Sequence, residues 1–220
     1  MMRRVRPRVS GRLIVVGGQC SGVGKTALVV DLIRAMRGEK WTAVKITPHG
    51  GESGEGGEEG GAVPERHTFA IREETDARGR TDTSRFLAAG AERALWVKTK
   101  AGRMGDALVA LEKELAGAGN VIVESDGIVR WWKPDLYLMV VDPREGDFKE
   151  SARRGVREAD VFVSRAAIRR MGAGRRAARR KEWAIIAARR KGERCRVLHR
   201  LGEALPQKLQ RIVRQPWRRG

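Results

Sequence analysis

Ten consecutive residues carry the strongest chemical signal in the chain: Gly17-Gly18-Gln19-Cys20-Ser21-Gly22-Val23-Gly24-Lys25-Thr26. Glycines at this density let backbone N–H groups turn inward around a phosphate, and a helix starting behind them adds favourable electrostatics. The Lys25 ammonium would reach β- and γ-phosphates, and the Thr26 hydroxyl would coordinate Mg²⁺. Gly18, Ser21, Gly22, Val23, Gly24, Lys25 and Thr26 are therefore the expected cradle. An ordinary glycine-rich turn has similar letters. Leu13-Ile14-Val15-Val16 in front and an amphipathic run behind favour the cradle. The spacing is offset by one, with Gln19 where a glycine commonly stands five residues before Gly24.

Three further groups fit chemistry on a triphosphate. Glu124 ends the apolar run Val121-Ile122-Val123, at the edge of a parallel sheet where ligands collect, and would orient Mg²⁺ through water or else be a surface carboxylate, the first being favoured. Asp82 stands at a loop-to-helix junction, where it would cap the helix, serve Mg²⁺ or the attacking water, or do both. Lys45 and His49 follow a second strand towards the same edge, as phosphate or partner contacts or as solvated side chains. Arg85, three residues after Asp82, makes either a local ion pair or an anion contact. Cys20 is either a passive small residue or a thiol of lowered pKa near a helix start. Asp142-Pro143 reads as a turn. Val163-Ser164-Arg165 stands where a base-reading NKxD motif would occur and lacks it, so GTP and ATP are equally open.

Such residues need a rigid frame. Strand-like runs at Leu13–Val16, Trp41–Ile46, Ala94–Val97, Val121–Val123, Leu136–Val141 and Val161–Val163 alternate with helical stretches at Lys25–Arg37, Thr83–Ala91 and Asp106–Ala116. This alternation predicts an α/β fold, a three-layer sandwich around a mainly parallel central sheet, with Val161–Val163 as its last core strand. In the first helix Asp31, Arg34 and Arg37 share a face and apolar residues cover the rest, which implies packing on both sides. Residues 50–61, with seven Gly and four Glu, are expected to be a loop.

The 220-residue chain carries a net charge of +19, but the excess is uneven. Residues 1–164 hold 27 basic and 24 acidic side chains, whereas residues 165–220 hold 19 and 3. The expected division is a nucleotide-binding domain over 1–164 and an Arg-rich basic tail over 165–220. Leu198, Leu201, Leu205, Leu209 and Ile212 recur there at helical spacing, although Pro206 interrupts them. The tail reads as a solvated extension, as an arm for nucleic acid, an acidic partner or a membrane surface, or as coding sequence outside its ancestral frame. Two cysteines, Cys20 and Cys195, give no disulfide framework, so a cytoplasmic setting is expected. No apolar run has transmembrane length, and Leu13–Val16 is too short for the core of a signal peptide.

The loop ending Ser21-Gly22-Val23-Gly24-Lys25-Thr26 resembles those of cobyrinate synthases and dethiobiotin synthetases, a branch of P-loop proteins that often act as dimers. Two more segments, Trp41-Thr42-Ala43-Val44-Lys45-Ile46-Thr47-Pro48-His49-Gly50 and Gly79-Arg80-Thr81-Asp82-Thr83-Ser84-Arg85-Phe86-Leu87-Ala88-Ala89-Gly90-Ala91, resemble blocks of the molybdopterin-guanine dinucleotide biosynthesis adaptor (MobB) family. Val121-Ile122-Val123-Glu124 is similar to a third, so the resemblance spans about residues 12–142 in order. The family's paired histidines are reduced to His49, and Ser125 follows Glu124 in place of glycine. The resemblance implies a Mg²⁺-dependent P-loop NTPase, a slow GTPase that assists guanine-dinucleotide molybdenum cofactor assembly as a homodimer beside a nucleotidyltransferase. Lys25, Asp82 and Glu124 would be catalytic, Thr26, Glu124 and Asp82 would serve the metal, and Lys45 and Arg85 would join the loop in nucleotide contact. The alternatives are an ATP-dependent ligase of the dethiobiotin type and a nucleic-acid-binding P-loop protein using its basic tail.

Overall fold

A computed structural model describes residues 4–49, 63–165, 181–188 and 195–215. The Glu/Gly segment 50–61 and residues 166–180, 189–194 and 216–220 of the Arg-rich stretch lie outside the described residues. Eight strands form one sheet: β1 (Leu13–Gly18), β2 (Trp41–His49), β3 (Phe69–Glu74), β4 (Arg93–Lys100), β5 (Asn120–Glu124), β6 (Leu136–Val141), β7 (Val161–Ser164) and β8 (Cys195–Leu198). Their spatial order is β3-β4-β2-β5-β1-β6-β7-β8, and every pairing is parallel except β3 with β4. β1 therefore lies inside the sheet between β5 and β6, with apolar residues covering both of its faces. That is why it reads as an unbroken apolar run rather than an alternating one.

Helices α1 (Lys25–Ala35), α2 (Asp82–Ala89), α3 (Met104–Glu114), α4 (Glu150–Glu158), α5 (Lys181–Ala188) and α6 (Gln207–Arg214) are the α-helices among the described residues. Leu13 and Val15 of β1 join one core cluster with residues of α3, α4 and α5. Ile14 and Val16 join the other, with residues of α1, α2 and α6. Two apolar layers separated by a period-two sheet make the expected three-layer α/β sandwich.

The C-terminal side departs from the sequence reading. The sheet does not end at Val161–Val163: β8 pairs in parallel with β7, placing Cys195 opposite Val161 and Val197 opposite Val163. Part of the stretch read as a tail is thus built into the fold, since Leu205, Leu209, Ile212 and Val213 are buried against the α1 side. Their helical spacing does not belong to one helix. Leu198 ends β8 and is exposed, and Pro206 stands at the N-terminal cap of α6 instead of breaking it. The expected polar face of α1 is also altered, because Asp31 is buried there. Its Oδ2 lies 2.8 Å from His199 Nε2 and accepts the Gly202 N–H at 2.8 Å. β3 was not anticipated. Phe69 and Ile71 pack on the α3 side while Ala70 and Arg72 take the other face, the half-buried pattern of an edge strand.

Candidate functional site

The turn between β1 and α1 occupies residues 19–24, at the C-terminal edge of the sheet. Gly24 caps α1 with φ 104°, a left-handed conformation that favours glycine, and any Cβ there would run into Leu201. At Gly18 a Cβ would lie 2.6 Å from Val23 Cγ1 and 2.9 Å from Lys25 Cγ, so the loop closes tightly only over glycine. The offset glycine of the sequence pattern therefore has a steric reason. Gln19, where a glycine is usual, is fully buried. Its Nε2 donates to the carbonyls of Glu145 at 2.9 Å and Asp147 at 3.1 Å, and its Oε1 accepts the Asp142 N–H at 3.0 Å. The side chain braces the 17–26 loop against the turn after β6.

Lys25 folds back over this loop. Its Nζ donates to the Cys20 carbonyl at 3.3 Å and lies 3.2 Å from Asp126 Oδ2. The other oxygen of Asp126 accepts the Gly18 N–H at 2.9 Å, so one carboxylate holds both ends of the loop's lysine arrangement. Sequence reasoning missed Asp126; the available signal was a second carboxylate two residues beyond Glu124. The Ser21 hydroxyl is shielded from solvent and has no hydrogen-bond partner among the described residues.

Thr26, Glu124, Asp82 and Lys45 come together beside the loop. Thr26 Oγ1 donates to Glu124 Oε2 at 2.8 Å. Lys45 pairs with Asp82 and stands 3.6 Å from Glu124 Oε1. Register explains the latter contact, since Lys45 of β2 lies directly opposite Glu124 of β5. Burial raises the Glu124 pKa above the usual carboxylate range, with Lys45 opposing and Asp82 adding to the rise. Burial also pushes Asp82 upward, but the bond and charge of Lys45, helped by Thr26 and Arg85, hold it below its ordinary value. Two carboxylates so differently poised around one hydroxyl make a hard-oxygen donor set.

Asp82 does not cap α2. Thr81 does, its Oγ1 accepting the Ser84 N–H at 3.0 Å, and Asp82 is released into the first turn to face Lys45. Glu74 of β3 fastens this helix start: one oxygen accepts the hydroxyls of Thr81 at 2.8 Å, Ser84 at 3.0 Å and Thr83 at 3.1 Å. Burial alone would raise its pKa, yet the bonds from the Asp76 backbone and these hydroxyls lower it to about 2. Arg85 Nη1 lies 3.1 Å from Asp82 Oδ1, the local ion pair that its spacing allowed. Cys20 is raised by burial and by Glu145, so the passive reading of this thiol fits better than an activated one. Asp142 begins a turn closed by the Glu145 N–H, and its carboxylate is bound by Arg144 at 2.7 Å. The side chain of His49 lies outside the described positions.

A glycine loop and a Gly-Lys-Thr helix start at the centre of a mainly parallel sheet give this chain the α/β fold of P-loop proteins. No family model matches the sequence, and no curated protein matches it. Among solved structures, the chain is similar to LpxK from Aquifex aeolicus in complex with ATP, at 17% identity and a TM-score of 0.44. The match covers 74% of this chain and 50% of that one, so the chain spans about half the length of its structural neighbour. Among the described residues no helix is long and apolar enough to cross a membrane.

Proposed function

We propose that the protein binds a Mg²⁺-nucleoside triphosphate at the 17–26 loop and hydrolyses it slowly. The observation that carries this reading is the convergence of Thr26, Glu124, Asp82 and Lys45 beside a loop whose lysine is held by Asp126. Phosphate entering the loop would compete with Asp126 for the Lys25 ammonium, and the partnerless Ser21 hydroxyl would gain an acceptor. Among the described residues no three His, Cys, Asp or Glu side chains are gathered for a metal. Mg²⁺ needs no such cage, because it takes one or two carboxylates together with phosphate oxygens and water. Thr26, Glu124 and Asp82 supply fitting oxygens. When bound, the ion would neutralise charge on the phosphate oxygens. Asp82, kept ionised by Lys45, would accept a hydrogen bond from water, and Lys25 would offset phosphate charge.

The finer reading is a GTPase, with ATP the alternative nucleotide, that assists guanine-dinucleotide molybdenum cofactor assembly as a homodimer with a nucleotidyltransferase partner. Its support is the order of the segments 41–50, 79–91 and 121–124, which resemble the MobB family. The decisive experiment is calorimetric titration of GTP and ATP, each with and without Mg²⁺, on wild type and Lys25→Ala. We expect Mg²⁺-dependent binding that the variant loses while remaining folded. Equal affinity in a folded Lys25→Ala protein would refute the phosphate-loop reading.

A further inference from the structure

The C-terminal segment touches α1 at three levels. At the front of the helix, a Cβ built on Gly24 would stand 2.1 Å from Leu201 Cδ1, so this leucine packs directly on the last glycine before Lys25. In the middle, the buried Asp31 carboxylate receives both ends of the turn that carries Leu201. Its Oδ2 accepts the Gly202 N–H at 2.8 Å and lies 2.8 Å from Nε2 of the buried His199. At the far end, Arg214 Nη2 donates to the Ala35 carbonyl at 3.3 Å. Gly24, Asp31 and Ala35 follow one another at intervals of seven and four residues, which places them on one stripe of the helix. Leu205 and Leu209 join Leu28 and Leu32 in the core cluster on this side of the sheet.

We propose that Asp31 and His199 are positioning residues for the 17–26 loop: they clasp the 199–202 turn to α1 so that Leu201 covers Gly24, and a bound nucleotide and the C-terminal segment thereby stabilise each other. This role rests on the proposed nucleotide reading. A buried carboxylate is costly unless it is hydrogen-bonded, and the donors that meet Asp31 among the described residues come from 199–202. The carboxylate is therefore satisfied only while the turn is docked. Gly24 transmits that docking forward. It caps α1 in a left-handed conformation, at the helix start whose N–H groups a phosphate would take. A phosphate there would fix the loop, a fixed loop offers Gly24 to Leu201, and Leu201 holds the turn that Asp31 grips. A ligand that favours the docked turn is itself favoured by docking, and by the same factor.

Hydrogen–deuterium exchange on the full chain, read over residues 195–215 and 19–30, tests this together with calorimetry, using whichever of Mg²⁺-GTP and Mg²⁺-ATP wild type binds more tightly. Saturating nucleotide should slow exchange over 195–215 by about tenfold, within the usual range of coupling between sites. Asp31→Ala should weaken the nucleotide by about the same factor, and Asp31→Asn, which keeps an oxygen acceptor, should restore most of the affinity. Leu201→Ala leaves the bonds to Asp31 in place and removes only the cover on Gly24. It too should weaken the nucleotide by about tenfold, and it carries the test if Asp31→Ala does not fold. A purely structural clasp would leave exchange over 195–215 indifferent to nucleotide. That result, or wild-type affinity in a folded Asp31→Ala or in Leu201→Ala, would overturn the proposal. If wild type takes up no triphosphate yet Asp31→Ala speeds exchange over both 195–215 and 19–30, the nucleotide reading fails while the clasp on the loop stands. Unchanged exchange over 19–30 in that variant would remove the clasp as well.

Discussion

Leu209→Ala tests whether the C-terminal segment belongs to the folded core. Leu209 is 0% exposed on α6 and sits in the cluster formed with α1 and the inner strands. Leucine and alanine differ little in helix propensity, so the cost is lost burial plus the cavity left behind. Such truncations cost about 2–5 kcal/mol, depending on how far the site collapses. For a domain of this size that corresponds to a melting temperature lower by about 4–20 °C. Leu198→Ala is the matched control, since Leu198 is 52% exposed on β8 and should change stability by about 0.5 kcal/mol or less. Urea unfolding followed by far-ultraviolet circular dichroism measures both variants. The midpoint should fall for Leu209→Ala without a change in slope. A loss below about 1 kcal/mol for Leu209→Ala, equal to the control, would show that α6 does not pack on the sheet.

On the proposed reading, Glu124→Gln and Asp82→Asn should lower single-turnover hydrolysis more than nucleotide affinity, because both would act around the metal and water; unchanged rates in both would refute that reading. Glu74→Gln tests the fastening of α2 through pH. The depressed pKa of Glu74, about 2, means its contribution is complete above the ordinary carboxylate value and is lost as pH falls towards 2. Thermal melts between neutral and acid pH should therefore show wild type converging on Glu74→Gln as pH drops, and a constant gap would refute the assignment. Gln19→Ala removes three hydrogen bonds from a fully buried side chain and leaves the Asp142 N–H unpaired. A loss of about 1–3 kcal/mol is expected in urea unfolding, and a neutral result would show that the brace is dispensable.

What the sequence by itself determined was local. The Gly-Lys-Thr loop and its flanking strand and helix were legible because neighbouring residues make that turn: Gly24 needs its left-handed backbone, and Gly18 must clear Val23 and Lys25. The inner strands were legible for a related reason, since burial on both faces leaves unbroken apolar runs. Glu124 could be placed at the sheet edge, but its partners could not. The Lys45–Glu124 contact depends on the register of β2 against β5, residues far apart in the chain, and no local pattern encodes a register. Asp126 and Gln19 were passed over because their roles exist only once the turns after β5 and β6 close on the loop. Charge misled most at the C-terminus. Arginine-rich composition reads as solvated, yet Val197, Leu209 and Val213 bury apolar side chains among those arginines and His199 meets Asp31 inside. A short strand and a two-turn helix show too few residues to outweigh the surrounding composition, and it was the free edge of β7 and the uncovered side of α1 that decided where they went.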